Sequence, residues 1–197
     1  MIEKNDVIEF FNHCAPSWDE GMIRKEEIIE LILDRAGIGR GIDVLDVACG
    51  TGVLFPDYIK RGVNSVTGVD ISPVMAKLAS AKFNDDRIKV ICADVEETEF
   101  EHEFDAVMVY NAFPHFPDPA RLVYVLSKKL KAGGRLTIAH SMSREQLDRH
   151  HSGAASKVSV GLMHENELKK LYEPYFDVDV VISNDEMYEV SGTKKYA

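Results

Sequence analysis

The sequence predicts an α/β fold: a doubly wound, mostly parallel sheet of seven strands, with helices on both faces and an antiparallel last strand. Segments with helical periodicity alternate with short apolar runs along the chain, which is typical of this class. The segment VLDVACGTG, residues 44–52, runs from an apolar strand into two glycines that are one residue apart. An acidic residue lies near the end of each of the first three predicted strands, at even spacing: Asp46, Asp70 and Asp94. In an open parallel sheet these strand ends meet at one edge, where ligands bind.

The individual elements follow from the periodicity of their apolar residues. Helices are expected near residues 5–14, 20–36, 53–61, 73–82, 119–131, 143–150 and 164–173, and strands near 42–48, 65–70, 88–93, 104–110, 134–140, 176–183 and 186–193. Ser72 and Pro73 form a favourable helix start, an N-cap followed by proline at the first helical position, which places Asp70 just before that helix. Asn184 and Asp185 separate the last two strands by a link short enough for a hairpin, so an antiparallel edge is expected.

The composition fits a single soluble enzyme domain over residues 1–197. No segment reaches the ~20 apolar residues of a membrane span, and the start lacks an apolar region of signal-peptide length, so we expect a cytoplasmic protein with no membrane partner. The net charge of −10, without a basic stripe that carries aromatic residues, argues against a nucleic-acid partner. Three cysteines have no paired metal-type spacing and are expected to be reduced thiols: Cys14, Cys49 and Cys92.

The glycine turn, the two later acidic strand ends and the turn LKAGGRLTIAH, residues 130–140, occur in an order that resembles the class I S-adenosylmethionine-dependent methyltransferases. The resemblance implies a Rossmann-like sheet, S-adenosylmethionine as cofactor and methyl transfer as the activity. In that family the glycine loop accommodates the methionine portion of the cofactor, the acid after the second strand binds the ribose hydroxyls, and the acid after the third meets the adenine amine. By position, the implied cofactor residues are Asp46, Ala48, Gly50, Gly52, Asp70, Ile71, Asp94 and Val95.

Two functions from other classes share part of this pattern. A nicotinamide-dependent oxidoreductase uses the same strand, turn and helix, but its fingerprint needs a third glycine at the position of Phe55, which argues against it. A non-catalytic S-adenosylmethionine-binding protein would keep Gly50, Gly52 and Asp70 but would need no histidines at the cleft. The polar character of residues 111–115 favours the enzyme.

The first 19 residues are interpreted as a helix followed by a hinge. Pro16 ends the predicted helix before Trp18, the only tryptophan of the chain. In similar methyltransferases such a helix lies over the cofactor as a lid with an aromatic residue near its end, and Trp18 and Asp19 match that place. The alternative is a helix permanently docked on the core. The apolar stripe that supports either interpretation has helical spacing: Val7, Phe10, Phe11 and Cys14.

Histidines are concentrated after the fourth and fifth predicted strands. His115 follows the fourth strand and His140 ends the fifth, so both are candidate catalytic residues, each as a general base. His150 and His151 end a short helix that opens with a Ser143-x-x-Gln146 capping box, within a substrate-side insertion over residues 141–163. A divalent metal held by neutral imidazoles is a second hypothesis, and a purely structural role is a third. The metal hypothesis concerns four residues: His115, His140, His150 and His151.

The loop after the fourth strand, NAFPHFPD, bears on the methyl acceptor. It lacks the second proline and the stacking tyrosine of the loop that amino-methylating nucleic-acid enzymes use, so a nucleobase acceptor is not expected. Asn111, its first residue, and Trp18 are added to the expected cofactor-binding residues. Phe113, Phe116 and Met142 could line an apolar wall or belong to the core. We therefore expect in-line methyl transfer to oxygen or sulfur of a small, partly apolar molecule.

Overall fold

The computed structural model describes residues 2–150 and 157–196, and these contain one mixed seven-stranded sheet. The strands are β1 (Asp43–Val47), β2 (Ser65–Asp70), β3 (Ile88–Cys92), β4 (Phe104–Tyr110), β5 (Leu130–His140), β6 (Phe176–Ser183) and β7 (Tyr188–Lys194). The helices are α1 (Lys4–Cys14), α2 (Glu26–Arg35), α3 (Phe55–Lys60), α4 (Pro73–Lys82), α5 (Pro119–Lys128), α6 (Arg144–His150) and α7 (Glu165–Tyr172). Short 3₁₀ helices lie at Ala15–Ser17 and Phe113–His115.

The strand order across the sheet is β3-β2-β1-β4-β5-β7-β6. The first five strands, β1 to β5, are parallel to one another. β7 lies between β5 and β6 and runs antiparallel to both. This confirms the predicted fold class, the final hairpin and the antiparallel last strand. Because the order reverses between β1 and β4, the carboxyl ends of these two strands flank the crevice in which open α/β sheets bind ligands.

Helices cover both faces of the sheet, and alternate residues of the central strands pack into two separate apolar clusters. In β4, Val107 and Val109 join the cluster that contains the buried residues of α5. Ala106 and Met108 face the other way and join the cluster that contains the buried residues of α2. Within the described residues, no helix combines the length and the apolar character needed to cross a bilayer.

Two helix starts predicted from the sequence are formed as expected. Met75 N donates to Ser72 Oγ at 3.1 Å, with Pro73 in the first turn of α4. At the start of α6, Gln146 N donates to Ser143 Oγ at 3.1 Å, and Ser143 N donates to Gln146 Oε1 at 3.4 Å. These reciprocal bonds are the expected capping box, and the two caps fix where the turns after β2 and β5 end.

Two predicted helices are shorter in the structure. The helix expected over 20–36 is α2 and begins at Glu26, because a run of turns that includes Gly21 in a left-handed conformation (φ +74°) precedes it. The helix expected over 119–131 ends at Lys128. It is followed at once by β5, which starts at Leu130 rather than at residue 134 because Leu130 pairs with Phe104 of β4.

Candidate functional site

A cavity of about 510 Å³ lies at the carboxyl-terminal edge of β1, β2 and β4, a size typical of small-molecule sites. The turns after β1, β2, β3 and β4 contribute to its wall, and so does the segment from α1 to Arg24. All but one of the ten residues expected to bind the cofactor line it: Trp18, Asp46, Ala48, Gly50, Asp70, Ile71, Asp94, Val95 and Asn111. The edge of the sheet expected to bind the cofactor thus carries a cavity, and these nine residues form part of its wall.

Gly52 is the exception and lies behind the wall. Its φ is +81°, and a Cβ at this position would come within 2.6 Å of the Phe55 ring and 2.7 Å of the Phe83 ring. These two aromatic rings pack against each other with centroids 5.2 Å apart. Gly52 thus allows the start of α3 to pack closely under the loop, which supports the cavity without lining it.

Two hydrogen bonds donated by backbone amides hold the turn after β1 against the end of β2. Cys49 N donates to Val69 O at 3.1 Å, and Gly50 N donates to Asp70 Oδ2 at 2.8 Å. Ala48 and Gly50 both have positive φ, +53° and +55°. The turn therefore brings bare backbone to the cavity wall, and the conformation of Ala48 is one that non-glycine residues rarely adopt.

Asp70 is buried and receives one backbone donor on each carboxylate oxygen. Gly50 N bonds Oδ2 and Ser72 N bonds Oδ1, both at 2.8 Å. Burial raises the pKa of Asp70, and these two N–H donors oppose the rise because they stabilise the carboxylate. Each oxygen keeps a further lone pair for a ligand hydroxyl. Asp46 is also buried, which raises its pKa to about 8, and the charge of Asp70 acts in the same direction.

The N-terminal segment contacts each of the three turns that follow β1, β2 and β3. Thr51 Oγ1 donates to Asp19 Oδ1 at 2.6 Å. Ser72 Oγ donates to Asn12 Oδ1 at 2.7 Å. Lys4 forms ion pairs with Asp94 and with Glu97, the latter at 3.0 Å. Since all three contacts are polar and partly exposed, they hold the segment across the cavity without making it part of the apolar core.

Aromatic rings join this segment to the turn after β4. The Phe11 ring lies edge-on to Trp18 at a centroid distance of 5.6 Å and edge-on to His115 at 4.9 Å. Trp18, Phe11 and His115 all line the cavity. The three rings therefore form a continuous wall that links α1 to the β4 side of the site.

His115 is held in one tautomer by a main-chain carbonyl. Its Nδ1 lies 2.7 Å from Val158 O, and because a carbonyl can only accept, Nδ1 carries the proton. In the neutral ring the basic nitrogen is then Nε2. Val160 N also donates to Pro114 O at 2.9 Å, so residues 158–160 are bonded to the turn that carries His115.

His140 lies in different surroundings from His115. It is fully buried, shares a strand face with Ile138, and its ring centroid is 6.2 Å from that of Tyr188. It does not line the cavity. Sequence reasoning brought both histidines to one cleft because both follow strand ends, but side chains alternate along β5, and the last one faces the core.

The metal hypothesis also includes two histidines in the segment that follows β5. His151 and the side chain of His150 are outside the described residues. Within residues 2–150 and 157–196, no group of three or more His, Cys, Asp or Glu side chains is arranged to hold a metal ion.

Sequence reasoning missed several polar residues of the cavity wall, among them Arg24, Tyr110 and Ser141. Arg24 was assigned to a helix, although it belongs to the preceding loop. Tyr110 ends the apolar β4 and was assigned to that strand alone. Ser141 N donates to Asn111 Oδ1 at 2.9 Å, and Asn111 Nδ2 donates to Ser141 Oγ at 3.2 Å, which ties the ends of β4 and β5 together. Tyr110 is the last residue of β4, and Ser141 directly follows β5. A polar residue at the end of each apolar strand was therefore the signal that could have identified these two.

Comparison with known proteins agrees with this geometry. Residues 45–138 match the family described as "Methyltransferase domain". Over 142 residues the chain is 30% identical to malonyl-[acyl-carrier protein] O-methyltransferase of Acetivibrio thermocellus, covering 71% of the chain and 50% of that protein. Over 144 residues it is 38% identical to ubiquinone biosynthesis O-methyltransferase of Neisseria meningitidis serogroup C, covering 68% and 60%. The chain thus spans half to three-fifths of the length of these relatives.

Among solved structures, the chain is similar to magnesium protoporphyrin IX methyltransferase from Synechocystis PCC 6803, determined with bound SAH. The TM-score is 0.73 at 15% sequence identity, with 98% of this chain and 99% of that chain covered. At this identity the likeness establishes the fold. It extends over almost the entire chain, including the antiparallel end of the sheet.

Proposed function

The chain belongs to the class I S-adenosylmethionine-dependent methyltransferases, and from this premise we propose that it transfers the methyl group of S-adenosylmethionine to an oxygen of a small-molecule acceptor. The observation that carries the proposal is the pinned turn after β1, which presents backbone to the cavity directly beside the buried carboxylate of Asp70. The choice of oxygen is supported by the two curated relatives, both of which are named as O-methyltransferases.

The cofactor would be held by residues of three successive turns. The bare backbone around Gly50 would accommodate the methionine portion, and Asp70 would accept hydrogen bonds from the ribose hydroxyls through its remaining lone pairs. Ile71 and Asp94 would border the adenine. Because Asp94 is already paired with Lys4, binding of the adenine amine at this carboxylate would be coupled to the position of α1.

The bound cofactor supplies an activated methyl group on a sulfonium. The protein has to place the acceptor oxygen in line with that group and keep water out, which accounts for much of the rate in displacements of this kind. The ring wall of Phe11, Trp18 and His115 suits the second task. His115 is the candidate general base, since its Nδ1–H is anchored and Nε2 is the nitrogen that can take the acceptor proton.

We further propose that residues 1–197 act as one catalytic unit, in which residues 1–19 are the lid and hinge and residues 141–163 border the acceptor. The three polar contacts of the N-terminal segment support the first assignment, and the contact between Val158 and His115 supports the second. Cys14, Cys49 and Cys92 are free thiols, which fits a reducing compartment, and we place the reaction in the cytoplasm.

The test is a screen of hydroxyl and thiol acceptors for release of S-adenosylhomocysteine, with mass spectrometry of the product. A Gly50→Val variant should lose activity, because a β-branched residue at φ +55° is strained and its side chain would enter the cavity. The matched control is Gly39→Val, where φ is ordinary and a Cβ meets open space. Preferential binding of NAD by the wild-type protein would contradict the proposed function.

A further inference from the structure

The cavity wall carries more negative than positive side chains. Within the described residues, five acidic side chains line it: Glu20, Asp46, Asp70, Asp94 and Glu96. Burial raises the pKa of Asp46 to about 8, so Asp46 does not count among the negative charges at neutral pH. Two basic side chains line it besides His115, and both are committed to protein acceptors. The charge that an acceptor meets on entering is therefore set by which of these groups are already neutralised.

Arg24 is the basic side chain on the acceptor side, and every nitrogen of its guanidinium is bonded to protein. Nε donates to Glu26 at 2.8 Å, and Nη2 bonds both Asp57 oxygens at 2.9 and 3.1 Å and Glu26 at 3.0 Å. Nη1 donates to the carbonyl of Val53. An anionic acceptor that approached this guanidinium would therefore meet a cation whose charge is already paired with two protein carboxylates.

Lys4 lies at the other end of the cavity, on the N-terminal segment. It is paired with Asp94 and Glu97, so its charge is also matched by protein carboxylates. The pair sits at the turn after β3. Each cation is thus already paired with two protein carboxylates, which offsets the positive charge that it could present to a carboxylate or phosphate on the acceptor.

The wall beside His115 is instead built from uncharged groups that form hydrogen bonds. Tyr110 is buried, and burial raises the pKa of its hydroxyl, so it remains a neutral donor. Asn111 and Ser141 lie next to it and are bonded to each other. Met142 adds an apolar surface. Such a surface recognises a neutral hydroxyl or carbonyl compound.

We infer that the acceptor is an uncharged hydroxyl compound, and that the neutralisation of Arg24 by Glu26 and Asp57 makes the site select against carboxylate acceptors. The inference rests on the proposed function. In the reaction a lone pair of the acceptor oxygen forms the new O–CH₃ bond, and the C–S bond breaks with its electron pair returning to sulfur. The acceptor proton passes to His115 Nε2. A negatively charged acceptor would have to lose its hydration among carboxylates, which disfavours binding.

Collisional quenching of Trp18 tests the charge of the cavity without any acceptor. Trp18 is the only tryptophan, lines the cavity and is 39% exposed. Quenching constants are measured at low, constant ionic strength, and each is divided by the constant for acrylamide, a neutral quencher. Caesium should then quench Trp18 about threefold more efficiently than iodide. The control is Trp18→Phe/Tyr196→Trp, which moves the reporter to a site that is 80% exposed and senses the overall charge of the protein. Iodide quenching equal to or stronger than caesium quenching at Trp18 would overturn the inference.

Paired acceptors test selectivity directly. Among phenols that differ only in a carboxamide or a carboxylate, the carboxamide should have a kcat/KM at least about tenfold higher, and a malonyl thioester should not be methylated. The Glu26→Gln/Asp57→Asn variant frees Arg24, so it should narrow this ratio and raise iodide quenching of Trp18. A wild-type preference for the carboxylate member overturns the inference but leaves the proposed function intact. Failure to bind S-adenosylmethionine in calorimetry overturns the proposed function.

Discussion

Removing the Asp70 carboxylate is the sharpest test of the cofactor site, because one group there serves two purposes. It would accept the ribose hydroxyls of the ligand, and it already holds Gly50 N and Ser72 N at 2.8 Å. A hydrogen bond to a charged group contributes about 1.5–3 kcal/mol. If the ribose contact alone is lost in Asp70→Ala, the dissociation constants of S-adenosylmethionine and S-adenosylhomocysteine should rise about 12- to 160-fold.

The same substitution leaves two backbone donors without their acceptor. A buried donor left unsatisfied costs about 1–3 kcal/mol, and Ser72 N is buried, whereas Gly50 N is only partly buried and can bond water instead. Asp70→Ala should therefore also lower the free energy of unfolding by about 1–3 kcal/mol. Asp70→Asn keeps the size of the side chain but has only one acceptor oxygen. Its cofactor affinity and its free energy of unfolding should therefore lie between those of the Asp70→Ala variant and the wild type. Because Asp70→Ala also removes the acceptor of Gly50 N, the turn around Gly50 should become less ordered. The rise in the dissociation constants should therefore be near the upper end of the range given above.

Isothermal titration calorimetry with S-adenosylhomocysteine, paired with urea unfolding of the same samples, measures both effects. Asp86→Ala is the control, since this aspartate is exposed in the loop between α4 and β3. Its affinity and stability should match those of the wild type. Wild-type affinity in the Asp70→Ala protein would refute the assignment of this carboxylate to the ribose.

Three further predictions concern the lid, the histidines and a buried acid. Hydrogen exchange of residues 5–19 should slow when S-adenosylhomocysteine is added, and Trp18 fluorescence should change, because closure orders a segment that otherwise opens locally. Strong protection from exchange without ligand would show that the helix is permanently docked on the core. His115→Ala should depress turnover and leave the affinity for S-adenosylmethionine nearly unchanged, and the pH profile of the wild-type enzyme should show one ascending limb near neutrality. His140→Ala should instead mainly lower the melting temperature, because His140 is fully buried. Equal turnover in the His115→Ala and wild-type proteins would show that His115 is not the general base. The free energy of unfolding of the wild-type protein should fall between pH 5 and pH 8, and Glu189→Gln should remove part of this fall, as measured by urea denaturation. The same dependence of unfolding free energy on pH in both proteins would contradict the assignment of Glu189 as a buried acid.

The sign of the Glu189 effect follows from its surroundings. Glu189 is fully buried on β7, and burial raises its pKa to about 7, against the opposing effect of Arg35 at 3.3 Å. The folded protein therefore holds this proton more tightly than the unfolded chain, whose glutamate has its ordinary pKa. Stability is highest below the unfolded pKa and falls as the pH rises through about 7, by up to about 3 kcal/mol.

The features that could be predicted from the sequence are those fixed by local patterns. The apolar run into Gly50 and the Ser72 cap are encoded within a few residues, so the sheet edge and the start of α4 followed directly. The position of Arg24 could not be predicted, because one of its two carboxylate partners, Asp57, is 33 residues away. Likewise, the burial of His140 depends on which face of β5 meets the core, and its pairing with β7 decides that. Long-range pairing therefore decided what local periodicity left open.

The bonds between residues 158–160 and the turn that carries His115 involve only main-chain atoms on the side of the later segment. The carbonyl of Val158 is present whatever side chain this position carries, and the amide N–H of Val160 is present with any residue except proline. Substitutions other than proline in residues 158–160 can consequently leave the tautomer of the His115 imidazole unchanged. The orientation of the candidate base thus depends on backbone atoms that a change of side chain does not alter, so sequence variation in this segment is compatible with a retained base.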